Sequence, residues 1–272
     1  MKNLYFTEKL AEKQRKYVQN CYFLLTKPLP RDKILTAGEK RRKFSDTRSV
    51  VYRSYGYMIK RVSSCLLAVC LAVLLCACSM SRSEAAAYVK GTLDSFYLNQ
   101  NSEDYLKMIG STAGECEADY RQYVLNEVDY FKSYMDISEV SDETQQRIVN
   151  IIETLYKNCR YEVGEVAISS DRFLVSVTVY PVDVISRALE DGIAEFERSY
   201  TDNASRGMYD KMSDSELEEL WAQGIISEVE AKMADIGYLD PVTISVQVVE
   251  DEDGYYISED DLVRMDELVI EY

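Results

Sequence analysis

Histidine is absent from this 272-residue chain. That excludes Ser-His-Asp and Cys-His nucleophilic catalysis and removes the commonest zinc ligand. Glycine (11) and proline (4) are scarce, and no GxxxxGK pattern offers a backbone cradle for phosphates. Tryptophan occurs once, at Trp221. Basic residues are scarce over most of the length. Residues 79–272 carry 15 Lys+Arg against 42 Asp+Glu, a net of −27 within a whole of −16. Such a surface lacks the basic face that nucleic acid requires, and it would be repelled by anionic lipid. The excess acid serves solubility or attracts cations and basic partners; charge alone does not choose between these.

What is present is concentrated near the start. A short basic segment, Met58-Ile59-Lys60-Arg61, leads into an apolar run from Val62 that closes on Leu75-Cys76-Ala77-Cys78. Positive residues, an apolar stretch and a small residue before a cut make a signal peptide, here residues 58–77. The cysteine directly after the small residue resembles the bacterial lipobox, with cleavage between Ala77 and Cys78 and lipidation of Cys78. Cys76 departs from the Ala, Ser or Gly more usual at its place. The alternative is an uncut signal anchor, but the strongly apolar part is short for a span. In both readings the basic flank stays inside and the rest of the chain is exported. Residues 1–57 differ in kind, with 14 Lys+Arg against 5 Asp+Glu. They read as a basic extension upstream of the working start at Met58, or else as a cytoplasmic basic tail.

Residues 78–83 read as a short tether and 84–272 as one acidic extracytoplasmic domain, long enough to bury a proper core. Apolar residues recur every three to four positions over Ser83 to Leu98, and from Thr112 to about Met135 through Cys116, Tyr120, Val124, Val128 and Phe131. They do so again after Ser141 through Ile148, Ile151, Ile152 and Leu155. Asn101 is placed to cap a short helix, Ser102 to Ile109, ended by Gly110. The period then becomes two. Tyr161 to Ile168 and Phe173 to Val179 form a hairpin with a bulge at Gly164. A helix from Asp183 to about Tyr200 follows, then a polar loop from Asn203 to Met212. A helix capped by Ser213 and Glu216 runs to about Ile236. Val242 to Val249 and Tyr255 to Ser258 make a second hairpin, and a helix from Glu259 to about Val269 closes the chain. The expected class is α+β: a helical N-terminal half, then two β-hairpins forming an antiparallel sheet with helices packed on it.

Few constellations carry chemistry. Cys116 and Cys159 are a candidate disulfide outside the cell; the other reading is two separate buried thiols. Glu250-Asp251-Glu252-Asp253-Gly254 invites a calcium loop. Aligned on Gly254, however, it puts Val249 and Asp260 where the first carboxylate and the bidentate Glu belong, so a charged hairpin tip is expected. No metal, cofactor or catalytic residue is therefore assigned. Tyrosine is frequent, 22 in all. Tyr123, Tyr130 and Tyr134 fall on one side of the long helix, either as an aromatic ligand groove or as the packed edge of the core.

The stretches Leu75–Cys78, Ala85-Ala86-Ala87-Tyr88-Val89 and Tyr161-Glu162-Val163-Gly164-Glu165 resemble those of acidic, tyrosine-rich lipoproteins of Gram-positive anaerobes, a likeness spanning 58–272. It implies a lipid anchor on Cys78 at the outer face of the cell membrane, and no assigned activity. The functional expectation is a non-catalytic domain that binds a protein or small ligand. The alternatives are a carboxylate-dependent envelope hydrolase and a structural envelope component.

Overall fold

The computed structural model describes residues 80–251 and 254–272. Residues 1–57, the stretch 58–77 expected as a signal peptide, with Ala77, and Cys78 lie outside the described residues, as do Glu252 and Asp253. The architecture is α+β. Four helices come first: α1 (Arg82–Leu98), α2 (Glu103–Ile109), α3 (Ala113–Tyr134) and α4 (Asp142–Lys157). Strands β1 (Arg160–Ser169) and β2 (Arg172–Tyr180) follow, then α5 (Val184–Ala188), a π-helical turn (Leu189–Ile193), α6 (Ala194–Ser205) and α7 (Asp214–Met233). Strands β3 (Val242–Glu250) and β4 (Tyr255–Ile257) and helix α8 (Glu259–Val269) complete the order.

Helix starts are written in local chemistry. Ser81, Thr112 and Ser213 each accept a hydrogen bond from the backbone N–H three residues on, and the Glu84, Glu115 and Glu216 carboxylates each accept one from the cap residue's own N–H. These are full capping boxes, which satisfy donors that a bare helix start leaves orphaned. At α2 the cap is Ser102, one residue later than expected; its Oγ accepts from the Tyr105 N–H at 3.2 Å. Gly110 ends α2 at φ 64°, a left-handed position that favours glycine.

The four strands form one sheet in the order β1-β2-β3-β4, and every pairing is antiparallel. The two hairpins thus join through β2 and β3, which pair from Arg172↔Val249 to Val179↔Val242. In β1 the register shifts between Val163 and Val166, opposite Val177 and Val175. One extra residue is inserted there, the bulge expected around Gly164. On one sheet face Val175, Val177, Val179, Val246 and Val248 are buried to 1% exposure or less. This face meets α1, which packs across β1, β2 and β3, and α8, which packs on β2 and β3. The opposite face is polar and carries the Thr178–Thr243 hydroxyl pair at 2.8 Å and an Arg172–Gln247 bond at 2.7 Å.

Two helix contacts depend on glycine. A Cβ on Gly91 would stand 2.2 Å from the Tyr105 ring, and one on Gly224 would stand 2.1 Å from the Phe196 ring. The absence of a side chain lets α2 seat its tyrosine on α1, and α6 seat its phenylalanine on α7. The segment expected as one helix from Asp183 is divided by the π-helical turn, and its last portion continues as helix to Ser205 rather than becoming loop at Asn203. The turn lies where Gly192 meets α7: a Cβ there would stand 2.1 Å from the Glu228 carboxylate. A π turn adds one residue to a helical turn and re-aims the face that follows.

Candidate functional site

The long helix α3 does not present its tyrosines as one strip. Tyr120 and Tyr123 are 4% and 8% exposed and belong to the core, whereas Tyr130 and Tyr134 are half-buried. Tyr123 stacks on Phe96 (ring centroids 5.4 Å) and on Tyr156 (5.6 Å) and meets Tyr97 edge to face at 5.8 Å. Tyr97 in turn meets Tyr156 at 5.5 Å and Tyr161 at 6.3 Å. Tyr130 and Tyr134 instead pack around Tyr272, at 4.9 and 5.0 Å.

Two carboxylates thread this aromatic assembly. Asp266 of α8 accepts from the Tyr97 hydroxyl at 2.7 Å and from the Tyr123 hydroxyl. Glu127 of α3 accepts from the Tyr272 hydroxyl and is also hydrogen-bonded by Tyr156. Desolvation pushes both carboxyls up to about 7, against the pull of these hydroxyl donors; Glu267 adds to the rise at Asp266. At one edge Asp94 accepts from the Tyr161 hydroxyl at 2.7 Å and pairs with Lys90 at 2.6 Å. Burial also drives the Tyr97 and Tyr161 hydroxyls upward, so they remain donors.

The two cysteines are free thiols. The Cys116 Sγ lies 3.8 Å from the Ser111 hydroxyl, and the Cys159 Sγ lies 3.6 Å from the Leu155 carbonyl. Burial, reinforced by Glu127, raises the Cys159 thiol well above its ordinary value, which keeps it protonated and unreactive. The tip after β3 is a local turn: the Asp251 N–H donates to the Gly254 carbonyl at 2.9 Å, and the Gly254 N–H donates to Asp251 Oδ1 at 3.0 Å. Among the described residues no group of three or more Cys, Asp or Glu is gathered to hold a metal ion.

A groove of about 580 Å³ opens where α4 and α7 begin, lined among others by Glu139, Ser141, Met212, Glu216, Glu219 and Gln223. Several of its polar groups are spent on structure. Glu219 accepts from the Ser141 N–H and hydroxyl, both at 2.9 Å, and from the Thr144 hydroxyl; neighbouring Glu218 accepts from the Ser138 N–H. These bonds fasten the loop before α4 onto α7, as does the Trp221 indole N–H to the Met135 carbonyl at 3.0 Å. The bonds to Glu219 hold its carboxyl at about 2. A depressed folded value gives stability that is present above the unfolded value near 4.5 and is lost as pH falls towards 2. Glu219→Ala is expected to cost about 1–2 kcal/mol at pH 7, the lower end applying because the site is partly solvated. Urea melts at pH 7 and pH 3 check this: the difference between variant and parent should shrink at the lower pH.

Of these groups, Glu127, Asp266, Tyr156 and Tyr272 are not singled out by spacing. The one sequence signal was Glu127 itself, a charge set between the core positions Val124 and Val128 on α3. Asp266 next to Met265 looks like any edge position on a short helix.

The fold and its tyrosine–carboxylate centre define an acidic α+β domain. No family model matches the chain, and no curated protein matches it. Among solved structures it is similar to YcdA of Bacillus subtilis, provisionally designated a lipoprotein, with 23% identity and a TM-score of 0.48. That match covers 69% of this chain and 56% of the other, so the chain spans little more than half the length of its neighbour. No helix among the described residues is long and apolar enough to cross a membrane.

Proposed function

We propose that this chain is a lipoprotein held at the outer face of the cell membrane by lipid on Cys78, and that its acidic α+β domain is a non-catalytic binding module. The observation that carries the reading is the join between lipobox and fold. One residue, Ser79, separates Cys78 from Met80, whose N–H donates to the Tyr255 hydroxyl at 2.9 Å. Ser81 then caps α1. A described fold that begins at Met80, just after Cys78, is compatible with cleavage before that cysteine, and α1 already begins at Arg82, inside the stretch read as tether. Partners are a protein or small ligand, with nucleic acid disfavoured by the −27 charge of residues 79–272.

The test is fractionation after expression in a Gram-positive host. The parent protein should sediment with membranes and yield an N-terminal peptide beginning at a diacylglyceryl-modified Cys78. Cys78→Ser should be found unprocessed, with no lipid mass. A parent peptide that runs unbroken through Ala77-Cys78 would overturn the reading.

A carboxylate-dependent envelope hydrolase is the second reading, favoured by two carboxyls that titrate near 7. Against it, both are held by tyrosine hydroxyls that give them a structural task.

A further inference from the structure

The join just described also orients the domain. Met80 is partly buried and packs on the core, and its N–H bond to Tyr255 fixes it at the start of β4. That end of the sheet carries a small apolar rim. Ile168 pairs with Phe173 across β1 and β2, and Phe173 pairs with Val248 of β3. The Phe173 ring lies 6.4 Å from the Tyr255 ring. Ile168 is 54% exposed, although its partner Phe173 lies on the face that β2 turns to the core. Met80, Ile168, Phe173 and Tyr255 therefore share one end, beside the turn between β1 and β2. Two residues of chain span at most about 7 Å, so Cys78 cannot be farther than that from Met80.

We infer that this end of the sheet is the membrane-contacting surface of the protein, with Ile168, Phe173 and Tyr255 seated in the headgroup layer of the bilayer. The inference rests on the lipid anchor proposed at Cys78. With acyl chains in the membrane and two residues of chain between, the rim is held close to the interface. A tyrosine with an apolar body and a polar tip suits that layer. The charge here is acidic: Arg172 pairs with Asp171 at 3.4 Å, and the link between β3 and β4 carries the run Glu250-Asp251-Glu252-Asp253 in sequence. Such a surface fits a zwitterionic headgroup layer rather than a strongly anionic one. The far end of the sheet, where Tyr238, Leu239 and Val242 are exposed, then faces away from the membrane. It lies a β3 length off, roughly 30 Å for nine residues.

The experiment uses the processed, lipidated protein in phosphatidylcholine vesicles with plain or brominated acyl chains. Ile168→Trp and Leu239→Trp are made singly, both at exposed positions, and the parent signal from Trp221 is subtracted. The expected result is roughly twofold quenching by bromine at position 168 and almost none at 239, as for a group buried about 5–10 Å into the interface. Equal quenching at the two positions, with lipid mass confirmed on Cys78, overturns the orientation and leaves the anchor standing. Position 168 shielded from aqueous iodide but not quenched by bromine marks another protein or a second copy over the rim, and overturns it likewise. Absence of lipid on Cys78 overturns the anchor and the orientation together.

Discussion

Asp261→Ala should lower the stability of the folded protein by about 3 kcal/mol, with 5 as the upper end for a buried carboxylate that serves several donors. Asp261 is 1% exposed, near the start of α8. One oxygen takes the Gln247 N–H at 2.8 Å and the Ser258 hydroxyl at 2.6 Å, and the other takes Arg264 at 3.1 Å. The reason for so many donors lies in the sheet. Strand β4 is three residues long, and its ladder with β3 ends at Val248↔Ile257. The chain then turns into α8 while Gln247 still has an N–H facing that edge. The Ser258 N–H reaches back to the Gln247 carbonyl at 3.0 Å, and the Asp261 side chain supplies the acceptor that a fourth β4 residue would have offered. Its charge also lies at the positive end of α8. Alanine leaves a buried N–H and a hydroxyl unanswered. Urea unfolding followed by the fluorescence of Trp221 measures the loss, and thermal unfolding should drop by roughly 10 °C for a domain of this size. Asp261→Asn, which keeps one acceptor, should cost less. A loss under 1 kcal/mol for the alanine variant would show that water replaces the carboxylate without penalty.

The second large effect is alkaline. Burial pushes Asp266 and Glu127 up to about 7 in the folded protein, against ordinary values of 3.8 and 4.5. A carboxyl whose folded value is raised gives stability that is fully present below its unfolded value and lost as pH rises through the folded one. Between pH 5 and pH 8 the parent should therefore lose on the order of 3 kcal/mol, a figure reduced from the full shifts because both residues are only partly buried. Asp266→Asn cannot ionise, yet its side-chain oxygen still accepts from Tyr97 and Tyr123. Its stability should be near that of the parent at pH 5 and greater at pH 8, with the slope of stability against pH roughly halved. Glu127→Gln should act alike through Tyr272 and Tyr156. Urea melts at the two pH values decide it; an unchanged slope in both variants would mean that these carboxyls ionise freely in the folded state. Taken with Glu219, which acts in the acid range, the expected optimum of stability lies near pH 5.

How much of this was legible beforehand follows from the range of each interaction. The stripe from Cys116 to Met135, the capping pair Ser213 and Glu216, and the bulge around Gly164 are all patterns within one segment. Each appears in the structure where the sequence placed it. The misplacements were local competitions: Ser102 outdid Asn101 as a cap because its hydroxyl reaches the Tyr105 N–H, and contact with Glu228 at Gly192 accompanies the π turn in a helix that periodicity drew as continuous. The tyrosines of α3 were read as one face. Helix geometry does put Tyr123, Tyr130 and Tyr134 on one side, but α8 and the chain end approach that side at different points, and so Tyr123 became core while Tyr130 and Tyr134 became the rim around Tyr272.

By itself, then, the sequence determined the elements, the α+β class, the acidic surface and the expectation of an anchor at Cys78, because periodicity, capping and charge act over a few residues. Only the tertiary structure decided that Asp266 and Glu127 would meet tyrosine hydroxyls at the half-buried edge of the core, that Asp261 would finish the edge of β3, and that Met80 would be tied to Tyr255. Those contacts join residues 14 to 175 positions apart. Their cause is burial, which draws polar groups into pairs that no local pattern records.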